Sequence, residues 1–245
     1  MNQKTANEKE PNTENKRNQN TIKKENRNMI HEKETNTVNE KIQKTTKEAG
    51  EHPAGKSRNY ILSIVYIAFF VCILALCSFI KIPLVVPFTL QTFGIFLALE
   101  VLGGKRGTIC ILVYLLLGAI GVPVFSGMTG GVGVLLNTTG GYLIGFLFQG
   151  LIYWLLTSLL GNKFWVRIVS LVLGLAACYL FGTIWFYILY TQKTGAIGFV
   201  EVLGFCVFPF ILPDLAKMGL AVGIRKLLTP VLPEFLKKNP KKQVQ

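Results

Sequence analysis

"GEHPAGKSRNYILSIVYIAFFVCILALCSFI", residues 50–80, admits two readings, and the choice between them decides the fold. Its first eight residues fit G-x-x-x-x-G-K-[ST] at every fixed position. In that motif glycine N–H groups wrap phosphates, the Lys reaches the terminal phosphate and the Ser hydroxyl meets magnesium. The remainder, from Tyr60 to Ile80, carries no charge. At about 1.5 Å per residue it reaches across a hydrocarbon core of about 30 Å. The phosphate motif works only between a buried strand and a following soluble helix. "KIQKTTKEA" (41–49) is no buried strand, a membrane helix follows, and no apolar strand ending in Asp is present to hold magnesium. The match is a decoy, and the apolar run sets the fold.

Upstream of that run the chain is a different polymer. Residues 1–59 hold 13 of the 26 Lys and Arg, 9 of the 13 Asp and Glu, and almost no large apolar side chains. Such a segment buries too little to offset its ordering entropy, so 1–59 is expected to be a disordered polar tail on the cytoplasmic side. Downstream only Glu100, Glu201, Asp214 and Glu234 are acidic, and apolar runs follow one another. No secretory signal is expected, because the first apolar run begins near Tyr60 and is long enough to span. The five cysteines lie inside apolar runs without C-x-x-C spacing and read as packing residues. Both histidines, His31 and His52, lie in the tail, so no metal site is expected in the membrane part.

Six apolar segments can be drawn, at about 60–80, 88–102, 107–124, 140–160, 165–190 and 206–228. Alternate connections carry Lys56 and Arg58, Lys105 and Arg106, Lys163 and Arg167, then Arg225 and Lys226. The intervening ones carry Lys81, nothing between 122 and 139, and Lys193. Basic residues stay cytoplasmic, so an all-α protein with six transmembrane helices and both termini inside is the expectation. It lies in the cell membrane, with a basic cytoplasmic tail over 229–245. The net charge of +13 is then a topology signal and no nucleic-acid footprint, since no aromatic residue precedes Tyr60.

With that orientation the residues foreign to lipid collect on the outer side. "PFTLQT" (87–92) places Gln91 at the outer start of the second segment. "FSGMTGGVGVLLNTTGGYL" (125–143) is an uncharged outer loop in which Gly130 and Gly131 could bring backbone close to a ligand. "FPFILPDLAKMGLAVGIRKLL" (208–228) sets Pro213 before Asp214, a candidate cap for the helix that follows, and Lys217 three residues on, within pairing reach. Ionisable groups at this depth face a cavity or a partner. Glu100 reads as an interfacial charge partner beside Lys105 and Arg106, and Glu201 as a loop carboxylate.

The residues at 86–146 and 208–221 resemble BioY, the biotin-capturing S subunits of energy-coupling-factor (ECF) transporters. The run P-F-T-L-Q-T, L-G-x-K-R-G, G-x-P-V-F, T-G-G-Y-L-x-G-F, followed by "FPFILPDLAKMGLA", carries the resemblance, which covers about 60–228. It implies a six-helix substrate-binding domain holding biotin near the outer surface. Asp214 and Lys217 match the family's D-x-x-K pair, Tyr142 its G-G-Y tyrosine and Gln91 its T-L-Q glutamine. Thr129 occupies a loop position, just before Gly130 and Gly131, suited to a polar ligand contact. Two departures stand out. Asn137-Thr138-Thr139-Gly140-Gly141 replaces G-P-T-G-G, and the nearest small pair to the docking A-x-x-x-A of helix one is Ala68 and Cys72.

The resemblance also implies partners: a transmembrane coupling subunit and two ATP-binding-cassette subunits, since this chain has no ATP site and is not expected to be an enzyme. Apart from biotin as the transported ligand, no cofactor is expected. Two other readings remain open. An S subunit for riboflavin or thiamin would want more stacking aromatics or acids around the outer loops. An intramembrane enzyme would want paired acids, a Ser with a base, or metal ligands.

Overall fold

The computed structural model describes residues 23–24, 27, 29–30, 32–42, 53–83, 86–195 and 198–231. The chain divides into two units, Met1–Arg58 and Asn59–Gln245. In the first, residues 32–42 are helical and exposed at every position, a helix that buries nothing. Most of the rest of 1–59, expected to be a disordered tail, lies outside the described residues, as does the tail beyond 231. Gly55, Lys56 and Ser57 are helical rather than looped, which is the wrong backbone for a phosphate cradle.

Helix α1 runs Pro53–Phe79 and leads into a two-stranded antiparallel ribbon, β1 (Lys81–Ile82) and β2 (Phe88–Thr89), with Lys81 opposite Thr89. Then come α2 (Gln91–Ile120), the short α3 (Val132–Leu135), α4 (Gly140–Leu160), α5 (Phe164–Thr194), α6 (Phe199–Cys206) and α7 (Phe208–Leu228). Five stretches are long and apolar enough to cross a membrane: Arg58–Phe79, Gln91–Ile120, Gly140–Leu160, Phe164–Lys193 and Phe199–Leu228.

The count of five against an expected six resolves at one glycine. Gly103 has φ 79 and ψ 171 inside α2, a conformation that glycine adopts without steric cost. A Cβ on Gly107 would lie 2.9 Å from the Leu99 Cα, and the Gln91 amide bonds the Tyr114 hydroxyl at 2.7 Å. In a straight helix residues 91 and 114 would stand about 35 Å apart. Thus α2 is a hairpin whose arms, 91–102 and 104–120, fold back on one another at Gly103. The six expected segments are recovered, with the second and third joined by a turn too tight to count as a loop.

Half of the α2 window is buried, against 22% for α1, so the hairpin forms the centre of the bundle and α1 its edge. Ile95, Phe96, Ala98, Leu99, Cys110, Ile111 and Tyr114 are fully enclosed there. Helices α4 and α5 approach closely where Gly145 meets Cys178 and Gly174 meets Gln149. Small residues at such crossings let dispersion hold helices that gain no hydrophobic advantage over lipid. Outward-facing Leu76, Ile120, Leu159, Trp165 and Leu212 remain exposed, as a lipid-facing surface requires. The chain is a multi-pass membrane protein.

Alternation of the helices sorts side chains to two ends. Glu100, Tyr153, Arg167 and Arg225 meet at one end. The β ribbon, the 121–139 connection, and the starts of α2, α4 and α7 gather at the other. Fully buried Glu100 takes Arg167 at 3.4 Å and Arg225 at 3.2 Å, while the Tyr153 hydroxyl donates to its other oxygen at 3.1 Å. Its ion-pair partners thus come from α5 and α7, where sequence proximity had pointed to Lys105 and Arg106.

Candidate ligand-binding site

The end formed by the ribbon and the 121–139 connection encloses a cavity of about 290 Å³, near the lower end of the range for small-molecule sites. Its acidic wall comes from α7. Pro209 stands at the start of this helix and Pro213 inside it, so Asp214 lies in the second turn. Asp214 is therefore not the cap expected from its place after Pro213, because the helix already begins at Phe208 with Val207 as N-cap. The change points its carboxylate into the bundle, where it is 2% exposed, and it lines the cavity.

Three donors hold that carboxylate. Lys217, one turn on, pairs with Oδ1 at 2.9 Å. The Thr92 hydroxyl donates to the same oxygen at 2.8 Å, and the Tyr179 hydroxyl donates to Oδ2 at 2.6 Å. Lys217 also donates to the Thr92 hydroxyl at 3.0 Å and the Thr89 carbonyl at 2.7 Å, with its ammonium 3.9 Å from the Phe88 ring centroid. All three ammonium hydrogens have acceptors, so the lysine acts as a fixed charge that orients Asp214. An ionised carboxylate has about four acceptor positions. Three are taken, and one on Oδ2 is left for a ligand N–H.

Gln91 lines the cavity, but its amide NH₂ is bonded to Tyr114, whose hydroxyl donates to the Val124 carbonyl at 2.9 Å. The Ser78 hydroxyl donates to that same carbonyl at 2.6 Å, which ties α1, both hairpin arms and the loop together beneath the site. Tyr142 lines the cavity at the start of α4, its hydroxyl 3.0 Å from that of Thr183. Thr129 lines it too, with its hydroxyl donating to the Ser126 carbonyl at 3.1 Å.

Gly130 and Gly131, expected to offer backbone to a ligand, are not among the lining residues. A Cβ on Gly130 would lie 2.5 Å from the Val122 carbonyl oxygen, and the Gly131 N–H bonds the Gly118 carbonyl at 2.7 Å. Both glycines fasten the loop to the end of α2 instead. In the next turn Thr138 stands at the family's proline position, and Asn137 before it closes the turn. Its Oδ1 accepts from the Thr138 N–H at 2.8 Å, and its carbonyl accepts from the Gly140 N–H and the Trp185 indole.

Sequence reasoning passed over Tyr179, Thr92, Thr89 and Lys81. Thr89 and Thr92 stood inside the quoted P-F-T-L-Q-T run, whereas Tyr179 is one aromatic within an apolar helix and carries no local signal. Away from the cavity, Ala68 and Cys72 lie exposed on one face of α1, one turn apart.

The BioY family profile matches residues 45–234, which include every residue of this site. The chain belongs to the BioY family. Biotin transporter BioY of Thermotoga maritima is 39% identical over 158 residues, 63% of this chain and 88% of that protein. Biotin transporter BioY2 of Lactococcus lactis subsp. cremoris is 38% identical over 153 residues, 62% of this chain and 82% of that protein. Among solved structures, the S-component for biotin from an ECF-type ABC transporter superposes with a TM-score of 0.62 at 29% identity. The match covers 71% of this chain and 93% of that one. The BioY fold therefore accounts for the membrane unit, hairpin included, and leaves most of the polar tail outside.

Proposed function

We propose that this chain is the biotin-specific S component of an ECF-type importer, a transporter subunit that captures biotin and has no catalytic step of its own. The carrying observation is the Asp214 carboxylate, held by Lys217, Thr92 and Tyr179, with one acceptor position open to the cavity. The biotin ureido ring offers two N–H donors and one carbonyl on an otherwise apolar bicycle. Asp214 accepts one N–H, the Thr139 hydroxyl stands ready to donate to the carbonyl, and Leu143, Phe146 and Phe210 pack the apolar parts. The names of the relatives agree with this chemistry. A cationic vitamin such as thiamin fits poorly, because the one lining acid is already paired.

Orientation and partners belong to the same proposal. Lys105, Arg106, Lys163, Arg167, Arg225 and Lys226 gather at the end opposite the cavity, which the charge rule puts in the cytoplasm, so the cavity opens outward. The exposed Ala68 and Cys72 face of α1 is the docking surface for the coupling subunit, small enough for close helix approach. The ATPase subunits supply the energy.

Radiolabelled biotin retention by detergent-purified protein, with unlabelled biotin, riboflavin and thiamin as competitors, tests the ligand. Only unlabelled biotin should displace the label, and displacement by riboflavin or thiamin at equal concentration refutes biotin specificity. A finer expectation concerns Tyr179→Phe. Loss of the 2.6 Å donor frees the carboxylate to turn, and biotin affinity should fall about ten-fold, the worth of one hydrogen bond to a charged group. Calorimetric titration reads this directly, and an unchanged affinity removes Tyr179 from the site.

A further inference from the structure

The cavity holds three charges that do not cancel. Among its described lining residues only Lys81, Asp214 and Lys217 are formally charged. Asp214 and Lys217 neutralise one another, which leaves the Lys81 ammonium in excess. Lys81 reaches the cavity from β1 and is exposed, so it sits at the rim. Its ammonium lies against Gly127, where a Cβ would overlap it. Gly127 has φ 76, and its turn is closed by the Phe125 N–H bonded to the Thr129 carbonyl at 3.0 Å. A fixed backbone shape therefore makes room for this lysine. Among the described residues no hydrogen bond or ion pair engages its ammonium.

Ser126, beside Gly127, supplies a second and independent observation. It lines the cavity, and its hydroxyl oxygen is buried with no hydrogen-bond partner. A buried hydroxyl without a partner is costly, and native proteins rarely leave one idle.

We propose that Lys81 and Ser126 form an anion subsite that receives the carboxylate of the ligand. The inference rests on the biotin reading and divides recognition in two: Asp214 holds the neutral ureido head, and the Lys81–Ser126 rim holds the end of the valerate tail. A monoanion with a neutral head cancels the surplus charge, and ammonium–carboxylate bonds are roughly twice as strong as neutral ones. Gly127 matters here because any side chain at that position would push the ammonium out of the rim.

The test crosses a protein change with a ligand change, using full-length protein in detergent and titration calorimetry. The ligands are biotin and biotinol, in which the carboxyl is reduced to an alcohol. Wild type should prefer biotin by about ten-fold, Lys81→Gln should lose that preference, and Lys81→Arg should keep most of it. Equal affinity of wild type for the two ligands overturns the subsite while leaving the biotin reading intact, as does a Lys81→Gln variant that weakens both ligands alike. Failure of wild type to bind biotin at all overturns both.

Discussion

Detergent-purified Asp214→Ala should retain no measurable biotin under conditions in which wild type is saturated. The carboxylate is the convergence point of three donors and is itself 2% exposed. Removing it costs the ligand a charged acceptor, worth about 1.5–3 kcal/mol. It also strands the Lys217 charge, an effect on the order of 3–5 kcal/mol when a buried pair loses one member. Part of the second term falls on the free protein, so the loss in binding lies between the two, on the order of a hundred-fold or more. Asp214→Asn separates charge from shape. It keeps the volume and one acceptor oxygen but turns a donor toward either Tyr179 or Thr92, and should bind at least about ten-fold more weakly while its melting temperature stays closer to wild type. If Asp214→Ala folds and holds biotin as tightly as wild type, the acid is not the ligand's anchor and the site must be drawn elsewhere in the cavity.

The parts of this structure that could be read ahead were those whose physics is local or set by the membrane. Apolar length and the alternation of basic residues gave six segments, and the i, i+3 spacing of Asp214 and Lys217 gave a pair now seen at 2.9 Å. What stayed hidden depended on chain reversal and on contacts between distant segments. Lys105 and Arg106 read as a loop between two helices, yet the reversal is done by Gly103 alone. The Tyr179 hydroxyl reaches Asp214 across 35 positions, and no pattern within α5 announces it. Gly130 and Gly131 show the opposite error. A glycine pair in a loop looks like a ligand cradle, but here Gly130 leaves no room for a Cβ against residues 121–122, and Gly131, at φ 99, serves the turn whose N–H bonds Gly118.

The largest effect on stability is expected at the far end of the bundle. Glu100 is completely buried, pairs with Arg167 on α5 and accepts from Arg225 on α7 and Tyr153 on α4, so one carboxylate joins the hairpin to three helices. The cluster is not balanced: two guanidiniums share one acid, and the buried Arg167 Nε has no hydrogen-bond partner. Glu100→Ala removes the only anion found there among the described side chains and leaves two partly enclosed cations facing each other. A cost of about 3–5 kcal/mol follows, seen as a melting temperature lower by on the order of 10 °C in detergent. Glu100→Gln preserves the volume and the acceptor for Tyr153, so its shortfall measures the charge alone. Because the cluster stands at the end opposite the cavity, biotin affinity per folded molecule should change little in either variant. That contrast with Asp214 is the sharp part of the prediction: one buried acid should control binding and the other folding. A Glu100→Ala protein as heat-stable as wild type would mean that water already reaches both arginines, and the cluster would then be a surface ion pair of little energetic weight.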